Sequence, residues 1–411
     1  MKSSAIAVSV CFGMVPSLAW AFDWSLRTSQ SETIELNDNQ FLKTFPAPSV
    51  GSYSTITANA QARTPISRFD IDADGTYRKW WGPGTEGVQS EALNYGFKAR
   101  YEQNEKNRFD REFLETSWRQ QSTFLAILSD LGVATNARGF LDRLTATGGI
   151  DRSITARDSL SLLATSTSTS YEPSNGGIPF TDTLARGSWR HSLSPVTALS
   201  ASSEVELLAF ENATNSRVQI YRNQIGIGAT LSPVLSFRGN IGAVYLVTEG
   251  GVNPLAGAAP SNRAVSSSLT DWIGDAVLTY EWLKNTTLVV TASQSIAPSI
   301  VGTLFKRDIV SASLNHVINT HSRLSFSASN TRQISVTTTD YASASVTYAY
   351  NFTRDLSAQL TYRYQHRFAS SGTTTIDPIT GIPTVGGFGP ASSNSIMLTV
   401  TNNYVVLPYG N

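Results

Sequence analysis

Cysteine is almost absent: the 411-residue chain has one, Cys11. With no second thiol there is no disulfide framework, and no zinc site built on several thiolates can form. Net charge is absent too, with 31 basic side chains against 31 acidic ones. That balance provides no basic field for nucleic acid and no polybasic patch for an anionic membrane surface. Long apolar runs are missing from the body of the chain. The nearest, "FLAILSDLGVA" (124–134), is broken by Asp130 and falls short of the roughly 20 residues of a helical span. If such a chain enters a membrane it must do so as a barrel. There is also no helical-repeat extension, N-terminal plug or passenger segment, so one domain is expected over residues 22–411.

What is present begins with a leader. Lys2 supplies a short positive region, "AIAVSVCFGMV" an apolar core, and Ala19-Trp20-Ala21 a small-residue cleavage site. This is the pattern of a signal peptide over residues 1–21, cleaved before Phe22. Cys11 lies inside the apolar core and follows no small-residue lipobox, which argues against a lipoprotein. An exported chain of this size without disulfides fits a bacterial envelope.

Strict alternation follows. In "FTRDLSAQLTYRYQHRF" (352–368), Leu356, Ala358, Leu360, Tyr362, Tyr364, His366 and Phe368 fall on one side. Ser357, Gln359, Thr361, Arg363, Gln365 and Arg367 fall on the other, as in a two-faced strand. The pattern recurs in "SPVTALSASSEVELLAF", "SPVLSFRGNIGAVYLV" and "TDYASASVTYAYNF". These runs exceed the five or six residues usual in soluble strands and reach the roughly nine to eleven that cross a membrane. Tight connections at 63–67, 104–108, 155–159, 193–197, 231–235, 283–287, 318–322 and 352–356 alternate with mostly longer Gly/Pro/Ser-rich segments. Eight tight turns and about nine loops predict an antiparallel transmembrane barrel of about 18 strands, both ends periplasmic. Tyr280, Trp282, Tyr348, Tyr350, Phe352 and Trp189 lie beside tight turns, as headgroup-level aromatics do. The apolar faces then meet lipid and the polar faces line a lumen.

On that parity the lumen carries both signs. Its predicted cations are Arg68, Lys98, Arg100, Arg222, Arg238, Arg323, Arg363 and Arg367. Its predicted anions are Asp70, Asp72, Asp74, Glu204, Glu206, Asp275 and Glu281. Arginine's planar fork can hold carboxylates and sugar hydroxyls together, although the same side chains could simply brace lumenal carboxylates. "DIDADG" (70–75) resembles a calcium loop, but Trp81 stands at its twelfth position instead of a bidentate glutamate. A charged strand ladder fits it better. The four histidines, His191, His316, His321 and His366, are not grouped with a serine and a carboxylate. No catalytic residue, metal or cofactor is therefore expected. The apolar connection "QSTFLAILSDLGVATNARG" (121–139) is a candidate for bending into the lumen and narrowing it.

The tight "SPV" and "TRD" turns before long alternating strands, with "RFDREFLETSWRQQS" and "FDIDADGTYRKWW", resemble the β-barrel porin type 2 family. The resemblance is to members found with bacterial exopolysaccharide systems, and it covers nearly the whole mature chain. It implies a stand-alone outer-membrane barrel served by periplasmic and inner-membrane export components. One departure is the C-terminus: such barrels commonly close on phenylalanine, whereas this chain ends "VVLPYGN". A barrel reading also implies outer-membrane lipid and the barrel-assembly machinery as partners. Two functions compete, polysaccharide export and diffusion of small solutes, with an outer-membrane enzyme or a structural barrel as the remainder. The resemblance and the mixed lumen favour export.

Overall fold

The computed structural model describes residues 23–86, 89–104, 110–123, 126, 139–172, 177–211, 215–249, 267–298, 304–334, 338–369, 375–376, 383–384 and 389–407. The leader lies outside them. The first strands are β1 (Asp23–Asn37), β2 (Ser49–Arg63), β3 (Ser67–Trp81), β4 (Glu91–Asn104), β5 (Arg111–Ser122) and β6 (Phe140–Ser153). The middle third comprises β7 (Asp158–Glu172), β8 (Phe180–Ser194), β9 (Thr197–Phe210), β10 (Arg217–Ser232), β11 (Leu235–Glu249) and β12 (Ser267–Leu283). Then follow β13 (Thr286–Pro298), β14 (Leu304–Val317), β15 (Ser322–Ile334), β16 (Thr338–Asn351) and β17 (Leu356–Arg367). A small ribbon of β18 (Thr375–Ile376) and β19 (Pro383–Thr384) precedes the closing strand β20 (Ala391–Leu407).

Among the described residues, β1–β17 and β20 form one 18-stranded antiparallel sheet in which each strand pairs with its sequence neighbours. The ring closes where β20 pairs with β1, in a register that sets Thr33 opposite Thr399 and Leu36 opposite Ile396. Closure follows from solvent physics, because a free edge in lipid would leave a row of N–H and C=O groups unpaired at several kcal/mol each. The barrel strands are 12 to 17 residues long, enough to cross the apolar layer when tilted.

Tight turns sit at one end, and short hydroxyl or amide side chains set them. The Thr64 hydroxyl accepts from the N–H groups of Ile66 and Ser67. Thr155 serves Arg157 and Asp158 in the same way, and Thr353 serves Asp355 and Leu356. In the two "SPV" turns, Ser194 and Ser232 accept from Val196 and Val234, while Pro195 and Pro233 fix φ for the bend. The carbonyls of Val196 and Val234 then accept from Thr230 and Glu281 on the next strands. Each turn therefore carries the ladder one step past its own hairpin.

Three contacts identify the concave face. Arg363 on β17 reaches Glu35 on β1 across β20 at 2.8 Å. Arg119 on β5 reaches Asp74 on β3 across β4 at 2.6 Å. Arg222 on β10 donates to the Ile296 carbonyl of β13 at 2.9 Å, passing β11 and β12. Side chains can span intervening strands in this way only from inside the ring. The opposite parity is a convex apolar belt, with Ile225 67% and Leu360 51% exposed. Trp189, Tyr280, Trp282, Tyr348 and Tyr350 belong to that outer parity beside the tight turns, and Tyr350 packs edge-on against Phe352 at 5.0 Å. Trp81, Tyr245, Trp272 and Phe368, exposed toward the loop end, give the belt a second aromatic edge. Membrane β-barrels carry such girdles at both interfaces.

Candidate functional site

The lumenal wall divides into three sectors. The first is an ionic ladder on β3–β6. "DIDADG" is strand, not loop, and Asp70, Asp72 and Asp74 alternate along the inner face. Arg68 pairs with Asp70 at 2.6 Å, and Gln61 also donates to Asp70. Asp72 takes Asn59 at 2.6 Å and Lys98 at 3.5 Å. Arg100 bridges Glu102 and Glu115 at 3.2 and 3.1 Å, and Arg111 pairs with Asp151 at 2.6 Å. Each of these carboxylates faces a cation or an amide, Glu102 and Glu115 sharing Arg100. Among the described residues no cluster of metal-binding side chains occurs.

The second sector lies on β8–β12. Arg222 joins Glu204 at 2.5 Å and also Glu206, and all three side chains are largely buried. Asn240 donates to both oxygens of Asp275 at 3.0 Å, next to the inward-facing Arg238. Nearer the loop end the same wall turns apolar: Leu208, Val218, Ile220, Val244, Leu246, Ile273, Ile296 and Leu304 form a buried cluster. Sequence parity missed this cluster because Val244 and Leu246 occupy the face that lower on the same strand bears Arg238 and Asn240.

The third sector is a wall of small hydroxyls on β13–β17 and β20. Thr291 meets Ser311 at 2.6 Å, Ser327 meets Ser345 at 2.7 Å, and Ser329 meets Ser343 at 2.8 Å. The rungs continue as Thr347–Thr361 at 2.9 Å and Thr33–Thr399 at 2.8 Å. Period-two pairing in this register produces the ladder, since residues facing each other on antiparallel strands share a side of the sheet. Arg323, Arg363 and Arg367 are set into this wall, with Arg367 donating to the Gly389 carbonyl at 3.1 Å.

All fifteen charged positions read from the sequence, Glu281 included, lie on the inner parity, but they do not form one site. They are distributed over the ionic ladder, the Arg222 cluster and the hydroxyl wall. The sequence reading overlooked Glu35, which is 2% exposed and receives Arg363, Tyr53 and Asn37. It also overlooked Arg119 and Glu115, whose inward parity "RFDREFLETSWRQQS" does carry. The histidines stay out of the lumen. His191, stacked on Trp189, and His366, beside Tyr364 and Phe368, share the outer aromatic faces. His316 follows the outer parity of β14, and His321 sits in a tight turn. Of the connection 121–139, residues 124–125 and 127–138 lie outside the described residues. Of its described members, Ser122, Thr123 and Ala126 are buried, and Gln121 and Gly139 half-buried.

This fold and lumen define the class: a transmembrane β-barrel of the kind found in Gram-negative outer membranes. The FrpB iron transporter from Neisseria meningitidis, in its F5-1 variant, aligns with a TM-score of 0.50 at 7% identity. That alignment covers 93% of this chain and 81% of that one. OccAB4 from Acinetobacter baumannii aligns at a TM-score of 0.44 and 10% identity, over 93% of this chain and 98% of its own. At such identities the likeness concerns the barrel fold alone. No family model matches the chain, and no curated protein matches it.

Proposed function

We propose that the protein is an outer-membrane channel that passes a long, hydrated polysaccharide outward. The observation that carries this reading is the hydroxyl wall, together with the pairing of lumenal charges. Serine and threonine rungs can exchange their mutual hydrogen bonds for bonds to sugar hydroxyls at little net cost, since each partner is replaced by another. Paired arginines offer weak, repeated, charge-assisted contacts rather than one strong trap. A conducting lumen needs this combination, binding enough to admit cargo and little enough to release it. The outward placement of the histidines speaks for transport over catalysis.

On this reading the chain is exported by its leader, which is then cleaved, and the barrel is inserted by the barrel-assembly machinery. It receives polymer from periplasmic and inner-membrane components. The test is deletion of the gene in its native host, followed by quantification of surface and periplasmic polymer. Loss of surface polymer with periplasmic accumulation is expected. Unchanged polymer, with reduced uptake of small solutes, would establish the diffusion-porin alternative instead.

A further inference from the structure

The ladder between β12 and β13 stops well before the loop end. Its last pair is Gly274 with Gln294, although β12 begins at Ser267 and β13 runs on to Pro298. Beyond that pair β12 keeps its ladder only with β11, and β13 only with β14. The two strands part there, and the side chains show which way β13 goes. Ala292 and Val310, opposite each other, are on the convex face, with Val310 56% exposed. Counting by twos from them puts Gln294 and Ile296 on β13, and Leu304 and Lys306 on β14, on that same face. Yet Ile296 and Leu304 are buried, in one cluster with Leu208, Val244, Leu246 and Ile273. Those four belong to the lumenal face of β9–β12. The outward face of β13–β14 can meet that lumenal face only if both strand ends turn inward and lie inside the ring as a second layer.

Three polar contacts hold the ends there. The Gln294 amide donates to the Trp272 carbonyl of β12 at 2.8 Å, beyond the last ladder pair. Lys306 pairs at 2.7 Å with Asp271, on the lumenal parity of β12. Arg222 on β10 donates to the Ile296 carbonyl at 2.9 Å. The second layer also explains why the lumenal parity of β10 and β11 turns apolar toward the loops. Ile220, Val244 and Leu246 would face water if nothing lay on them, and covering them is favourable. We propose that the inturned ends of β13 and β14, residues 295–298 and 304–307, form a constriction at the loop-end mouth and set the width of what crosses the lumen. A barrel of this strand number leaves an aqueous channel unless something folds inside it. Ser295 lies on the other face of the inturned strand from Ile296 and is exposed, so it looks toward the lumen axis. The inference rests on the reading of the barrel as a channel and is independent of its cargo.

The test is single-channel conductance of the purified barrel in planar bilayers. Ser295→Cys places a thiol at the constriction, and Ser327→Cys places one lower in the lumen, on the hydroxyl wall of β15. Each is read before and after a bulky, water-soluble maleimide, with the unsubstituted chain as background. Modification should cut the conductance of Ser295→Cys by half or more and that of Ser327→Cys far less. In a second variant, residues 295–307 are replaced by Asn-Gly, a two-residue turn that joins the paired Gln294 and Asp308. Its conductance should rise at least twofold. Heat-modifiable mobility checks assembly, and if the trimmed barrel fails to assemble the comparison of the two thiols decides. A conducting barrel blocked equally at both thiols overturns the constriction and leaves the channel reading standing, as does a trimmed barrel of unchanged conductance. A barrel that conducts only once trimmed supports the constriction. One that conducts neither before nor after trimming overturns the channel reading and the constriction together.

Discussion

Glu35 shows how much a single lumenal position depends on residues far away in sequence. It is nearly inaccessible on β1, yet the cation that neutralises it, Arg363, comes from two strands around the ring and 328 residues along the chain. Tyr53 and Asn37 supply the remaining donors. Replacing Arg363 by Ser should therefore leave the barrel assembled but lower its stability by about 1–3 kcal/mol, the cost of leaving a buried charged group short of a partner. The urea midpoint of barrel unfolding in detergent measures this, and adding Glu35→Leu should recover most of the loss. Lys98→Ala is the contrasting case. Its pair with Asp72 has side chains 43% and 41% exposed, so solvent screens it and the change should stay within about 1 kcal/mol. If Lys98→Ala proves the more damaging of the two, burial is not what ranks these ion pairs.

An element is specified by alternation, and β17 illustrates how far that reaches. Leu360 faces lipid and Thr361 faces the lumen, one residue apart. Leu360 stands opposite Tyr348, just inside the aromatic rim, so Leu360→Arg should cost about 1–2 kcal/mol, between the interface and midplane values, and should reduce the barrel recovered from outer membranes. Thr361→Arg should assemble near wild-type level. The reverse ranking would invert the two faces. Seven of the eight tight turns were also legible, because Ser, Thr or Pro at fixed offsets dictates the bend in "SPV", "TPIS" and "TRDL"; the eighth, at 104–108, lies almost wholly outside the described residues. β1 was not legible as a two-faced strand. Its outer parity carries Gln30 and Glu32 and its inner parity Ser29, Ser31, Thr33 and Glu35, so polarity marks neither side. Ladder partners were beyond reach as well, since register and ring closure bring Arg119 to Asp74 and Arg222 to the Ile296 carbonyl.

For the molecule as a whole, the arrangement of the three lumenal sectors decides what crosses. Strand number and parity, both read from the chain, imply a polar lumen. That charge is densest on β3–β6, and that hydroxyl rungs run along β6–β7 as well as β13–β17, follows only once the strands are set in a ring. On the proposed function, the charge-free serine rungs of β15–β16 allow ion and polymer passage to be varied separately. Asp70, Asp72 and Asp74 lie in a row on one strand, with Arg68, Lys98 and Arg119 as their cations. Changing all three aspartates to Asn removes negative charge and leaves those cations in place, so the lumen becomes more positive. The reversal potential of single channels in a KCl gradient should then shift toward anion selectivity, more strongly at low salt where screening is weak. Changing Ser327, Ser329, Ser343 and Ser345 to Ala removes two hydroxyl rungs and no charge. That variant should keep wild-type ion selectivity while surface polymer falls. Both should assemble, because lumenal substitutions mainly tune selectivity. If the alanine variant exports normally and the asparagine variant does not, the cargo is guided by the ionic ladder rather than by the hydroxyl wall. If neither variant changes polymer output, transport of polysaccharide is the wrong assignment for this lumen.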